Sequence, residues 1–276
     1  MSRAATVRRD PGEPRGTLQP APPRGQLLHR RIGPTAALAP WIAHFWSVQW
    51  QLDAPYLART LPHPCVHLVF EGGARRRATV TGVCTRRFTR RLHGRGWVFG
   101  VKFRPGAFVG LHPAATATWT DRVATLSSVL GPDGRALAQA IAASDDVDAR
   151  VAAAEAWLLP RLRPLPTAAI ALRDLVESLE RARGRARVET LARRLGLDAR
   201  TLQRRFHRFV GVGPKWVLQR YRLHEAAARL QSPTPPTLVA LAAELGYADQ
   251  AHFARDFAAM VGEPPGRYLR RARAQR

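Results

Sequence analysis

The rhythm of apolar and polar positions changes twice along this 276-residue chain. Residues 1–25 are rich in Pro, Gly and Arg and show no hydrophobic periodicity, which predicts a disordered basic tail. From Trp41 to about Pro113 the pattern suits short strands. His44–Trp50, Val66–Phe70, Ala78–Val83 and Trp97–Phe103 are rich in β-branched and aromatic residues, and Gly72-Gly73 marks a turn between two of them. From Asp121 the texture becomes Ala/Leu-rich with helical spacing. Pro160, Pro164 and Pro166 then mark a linker, and the remainder reads as helical to the end. The expected class is α+β in two domains: a small, mostly antiparallel β domain with a helical end over 26–160, and an all-α domain over 166–276.

The second domain repeats itself with a period of about 50 residues. Leu191-Ala192-Arg193-Arg194-Leu195-Gly196 matches Leu241-Ala242-Ala243-Glu244-Leu245-Gly246. Leu202, Arg204 and Phe206 match Phe253, Arg255 and Phe257, and Val210-Gly211 matches Val261-Gly262. Each copy predicts a helix-turn-helix. Leu191 and Leu195 give the first helix its apolar face, and Ala192 leaves room where the second helix crosses. Gly196 tolerates the positive φ of the turn, and Asp198 can cap the next helix. Leu241, Leu245, Ala242, Gly246 and Asp249 repeat these roles. Leu202, Phe206 and Phe209 face inward, as do Phe253, Phe257 and Met260. The opposite faces carry Arg200, Gln203, Arg204 and His207 in one copy, and Gln250, Ala251, Ala254 and Arg255 in the other. Arginine can grip guanine O6 and N7, and glutamine adenine N6 and N7, so these are residue types suited to a major groove. Between the copies, Lys215–Leu230 predicts one helix that can hold two recognition helices about one DNA turn, roughly 34 Å, apart.

Charge supports this reading without locating it. The formal net charge is +24, which favours a polyanionic partner. Residues 161–276 carry 23 Lys and Arg against 10 Asp and Glu, and the first 160 carry 21 against 10, so the excess is spread over both halves. No stretch approaches the roughly 18 to 20 apolar residues of a membrane span, and no apolar run follows the first arginines as in a secretory signal. Cytoplasmic residence is the expectation. Cys65 and Cys84 are too few for a disulfide framework.

The repeat resembles the AraC/XylS family of regulators. The second copy carries the resemblance most specifically, through Leu241-Ala242-x-x-Leu245-Gly246-Tyr247-x-Asp249-Gln250-x-x-Phe253-x-Arg255-x-Phe257 and then Val261-Gly262-x-Pro264-Pro265-x-x-Tyr268. The resemblance covers roughly residues 166–273. It implies a seven-helix domain and a sequence-specific transcription regulator, with Arg200, Gln203, Arg204, Gln250, Ala251 and Arg255 as base readers. Thr201, Arg205 and Lys215 are the expected contacts to the DNA backbone. Ala251 and Ala254 depart from the polar norm, so Gln250 and Arg255 are expected to carry most of the second copy's readout. The N-terminal half is similar to a less characterised domain found ahead of such repeats. The matching stretches are Leu61-Pro62-x-x-Cys65-Val66-x-Leu68-Val69-Phe70, Thr81-Gly82 and Val101-Lys102-Phe103-Arg104-Pro105-Gly106-Ala107. The resemblance implies a sensor or dimerisation role for it. Expected partners are double-stranded promoter or operator DNA, with RNA polymerase, a small-molecule effector and a second copy of the chain left open.

Other chemistry is thin. His63, Cys65 and His67 alternate and would share one face of a strand, which could start a Zn site. Pro64 interrupts them and no fourth ligand is evident, so a buried cysteine beside ordinary histidines is the stronger reading. Lys102-Phe103-Arg104-Pro105-Gly106 either binds an anion or turns the chain, and the structural role is favoured. No phosphate loop, nucleophile elbow or carboxylate pair is present, so no enzyme activity, catalytic residue, cofactor or metal is expected. Two alternatives remain: an alkyl-transfer repair protein, which needs a reactive thiolate, and a non-specific architectural DNA binder.

Overall fold

The computed structural model describes residues 26–73, 76–182 and 186–274, together with Arg8, Pro11 and Leu18. Six strands form one antiparallel sheet among these residues: β1 (Gln26–Ile32), β2 (Ile42–Thr60), β3 (His67–Gly72), β4 (Arg77–Thr81), β5 (Phe88–Phe103) and β6 (Val123–Thr125). Their order across the sheet is β1-β2-β5-β3-β4-β6. Phe45 lies opposite Val101, and Val101 opposite Leu68, while Phe99 lies opposite Phe70. Directly opposed residues share a face, so these side chains form one apolar surface. Helices α1 (Leu126–Ala142) and α2 (Val147–Leu158) cover it, contributing Leu137, Ile141, Val151 and Ala154 to the core. Each large apolar side chain buried this way stabilises the fold by about 1.5–3 kcal/mol. Gly131, at φ +59, breaks α1 just ahead of Pro132.

The other face holds polar groups. His44 and His67 both lie opposite Lys102, and Trp46 Nε1 donates to His67 Nδ1 at 3.2 Å. Burial beside Lys102 pushes the His67 imidazole down to about 3 and His44 lower still. The Trp46 indole lies across Gly100, where a Cβ would come within 2.1 Å of the ring.

The sheet exceeds the expected runs at both ends. Beyond Trp50, β2 continues against the outer half of β5 through residues that are mostly exposed or half-buried, as far as Thr60 opposite Phe88. Pro55 falls in the irregularity between Leu52 and Tyr56, where a missing N–H breaks no ladder bond.

The C-terminal half is helical: α3 (Thr167–Arg181), α4 (Val188–Arg194), α5 (Ala199–Arg205), α6 (Pro214–Leu230), α7 (Leu238–Glu244), α8 (Gln250–Val261) and α9 (Pro265–Ala274). It has two cores. One is built on α3 to α6 and receives Val83 from the N-terminal half. The other is built on α6 to α9 and receives Leu18 and Leu61. The 159–166 connection is held down, with Trp41 Nε1 donating to the Arg163 carbonyl and Arg163 N–H to that of Gly110, both at 2.9 Å.

Three described positions fall within the segment expected to be a disordered tail. Leu18 is 1% exposed in the second helical core, Arg8 makes a bidentate pair with Glu155, and the Pro11 carbonyl accepts from Arg31. The rest of that segment lies outside the described residues. Among the described residues no helix is long and apolar enough to cross a membrane.

Candidate nucleic-acid interface

Each helix-turn-helix is built from local signals. In the first unit, Gly196 takes φ +62 and the Leu197 N–H donates to the Ala192 carbonyl at 2.9 Å, turning the chain out of α4. Asp198 then accepts from the Thr201 N–H at 2.8 Å and caps α5. That hydrogen bond holds the Asp198 carboxyl below the usual carboxylate range. In the second unit, Gly246 takes φ +77, Tyr247 N–H donates to Ala242, and Asp249 accepts from the His252 N–H at 2.6 Å to cap α8. An N–H freed at a helix start is satisfied in both cases by the residue type that does it best. Leu191, Leu202 and Phe206 in one unit, and Leu241, Phe253 and Phe257 in the other, are fully buried.

With these stripes inward, Arg200, Gln203 and Arg204 are exposed on α5, and Gln250, Ala251 and Arg255 on α8. Among the described residues no carboxylate pairs with Arg200, Arg204 or Arg255, so their guanidinium groups face solvent uncompensated. Lys215 is exposed at the start of α6, while Thr201 and Arg205 are half-buried. The two units share α6. Val217, Leu218 and Tyr221 belong to the first core, and Leu223, Ala226, Ala227 and Leu230 to the second. Gln219 Nε2 on α6 donates to Asp256 Oδ2 on α8 at 2.6 Å and fixes that helix about its axis.

The units differ at one point. After Arg205 the first recognition helix widens into a π-helical turn over 206–210, whereas α8 is regular to Val261. The Thr116 and Thr120 hydroxyls donate to the carbonyls of Phe209 and Gly211, at 2.8 and 2.6 Å, where that turn ends. Both threonines sit on or beside a short 3-10 helix of the N-terminal half, Thr116–Trp119.

Further grips join the halves. Arg104 forms a bidentate pair with Glu177 of α3, both distances 2.6 Å, and also donates to the Ala39 carbonyl. This settles the Lys102–Gly106 segment's arginine into a structural tie to α3. Arg87 Nη1 donates to the Val261 carbonyl at the end of α8. Arg220, fully buried in α6, donates through Nε to the Pro62 carbonyl at 2.6 Å, and burial pushes its guanidinium down to about 9. Gln219, Asp256, Thr116, Thr120 and Arg220 carry no local sequence signal, because their roles depend on partners 37 to 158 residues away.

His63, Cys65 and His67 do not converge. The His63 ring meets His224 at 4.7 Å on the C-terminal side, whereas His67 packs against Trp46. Among the described residues no cluster of three His, Cys, Asp or Glu side chains could hold a metal. Burial pushes the Cys65 thiol up to about 12 and raises that of Cys84 as well.

Residues 191–271 match a family model described as a helix-turn-helix domain, and residues 30–125 match one described as a domain of unknown function (DUF6597). The geometry and the match together define a helix-turn-helix protein. A probable AraC family transcriptional regulator from Rhodopseudomonas palustris is 35% identical, over 37% of this chain and 96% of that one, with a TM-score of 0.34. The DNA-binding domain of AdpA, a global transcriptional factor solved in complex with a target DNA, is 28% identical over 40% of this chain and 95% of that one, with a TM-score of 0.33. ToxT from Vibrio cholerae aligns at 10% identity over 89% of this chain and 97% of that one, with a TM-score of 0.39. No curated protein matches the chain. On the identity it shares with the R. palustris protein across nearly all of that chain, this chain belongs to the AraC family of transcriptional regulators.

Proposed function

We propose that the chain regulates transcription by binding promoter or operator DNA sequence-specifically, with α5 and α8 in two successive major grooves. One observation carries this reading: two capped helices present exposed, uncompensated long donors outward, and a single helix shared by both cores holds them in fixed relation. Arg200, Gln203, Arg204, Gln250 and Arg255 are the proposed base readers, with Ala251 beside them. Thr201, Arg205 and Lys215 are assigned to phosphates. The DNA complex of AdpA supports the choice of ligand. Residues 166–276 form the DNA-binding domain and 26–160 the domain that modulates it. The threonine hydroxyls on the end of the first recognition helix are the contacts through which such modulation would pass. RNA polymerase, a small-molecule effector and a second copy of the chain are the further partners this role would engage. A repair chemistry is disfavoured, because both thiols are shifted away from the reactive thiolate. Selection of binding sites from random duplexes by the purified chain tests the reading. A defined consensus is expected; binding of every sequence with equal affinity would instead make the protein an architectural binder.

A further inference from the structure

The two recognition helices are alike in frame and unlike in chemistry. Aligning Leu202 with Phe253 and Arg204 with Arg255 sets Arg200 opposite Ala251 and Gln203 opposite Ala254. Both helices therefore keep one arginine at the same place in their second turn. In the first turn, α5 offers a long cationic donor where α8 offers a bare methyl group. Ala251 is exposed, and two constraints fix its direction: the Asp249 cap on the His252 N–H, and the Gln219–Asp256 hydrogen bond from α6.

We infer that Ala251 is a specificity-determining residue that reads the C5-methyl group of a thymine, at the place where the first half-site offers a purine to Arg200. This rests on the two-groove reading above. A methyl side chain has no donor or acceptor. Against guanine, adenine or cytosine it would strip water from a polar base edge and return nothing. Against thymine it meets another methyl group, the one apolar feature of the major-groove code. Gln250 before it and Arg255 after it frame this position with an adenine grip and a guanine grip. The operator is thus asymmetric: both half-sites share a guanine read by Arg204 and Arg255, and they differ at the base facing Arg200 or Ala251.

The test replaces thymine by deoxyuridine, which removes only the methyl group. The full chain is titrated against its selected site and against versions carrying deoxyuridine at each thymine of the second half-site. One substitution is expected to weaken binding about fourfold, the effect of losing one buried methyl contact. In Ala251→Gly that ratio should fall to about one, and because it is taken within each protein, a weakened fold cancels. Ala251→Arg should move selection at that base from thymine to guanine. Indifference to every deoxyuridine, or a penalty that persists in Ala251→Gly, overturns the inference. If the consensus still spans two half-sites in that case, the two-groove reading stands without it. A consensus of one half-site overturns both.

Discussion

At the residue scale, the base-reading role of Arg204 is the sharpest expectation. It is exposed on α5 with no carboxylate partner among the described residues. Arg204→Ala should weaken binding by about 1–3 kcal/mol and relax the preference at one base pair. A titration against single-base variants of the site checks it; a loss equal for all sequences would assign Arg204 to phosphate. The buried histidines predict a pH dependence of a different kind. His67, and His44 more strongly, have folded-state pKa values pushed down by burial and Lys102, so the unfolded chain binds protons that the folded chain refuses. Stability should therefore be level above about pH 7 and fall as pH drops through 6.5 toward 3, by at most about 1.4 kcal/mol per pH unit for each histidine. Thermal melts across this range should show the slope, and the double variant His44→Gln, His67→Gln should flatten it.

At the scale of elements, each recognition helix depends on its cap. Asp249→Ala removes the acceptor for the His252 N–H and should cost roughly 1 kcal/mol of stability, read as a lower denaturant midpoint. It should also blur the second half-site of the consensus while leaving the first unchanged. The helix-turn-helix units were legible in the sequence because everything that defines them lies within about 20 residues: Gly196 and Gly246 for the turns, Asp198 and Asp249 for the caps, Leu202, Phe206, Phe253 and Phe257 for the inward faces. The linking helix was legible for the same reason, its start displaced by one residue to Pro214. Strand β1 and the outer half of the β2–β5 pair were not. Gln26–Ile32 does not alternate, and residues 53–59 and 88–96 are largely solvated on both faces, so no two-residue rhythm survives. The hydroxyl grip of Thr116 and Thr120 on the first unit was equally invisible, since each pairs with a carbonyl more than 90 residues on.

At the scale of the whole molecule, the halves are not independent beads. Leu61 and Val83 enter the helical cores, and Arg104, Arg220 and Arg87 cross to the other half. A fragment of residues 166–276 contains both units and α6, so it should bind the same consensus. It should melt at lower temperature than the full chain, because those side chains are gone from its cores and Glu177 loses its arginine. A folded fragment without specific binding would place part of the DNA-binding surface in the N-terminal half. Hydroxyl-radical footprinting of the full chain on its selected site shows whether two recognition helices, joined through α6, read two successive grooves. Two protected half-sites are expected on one face of the duplex, with centres about 10–10.5 base pairs apart. A single protected half-site, or two whose separation varies from site to site, would contradict it.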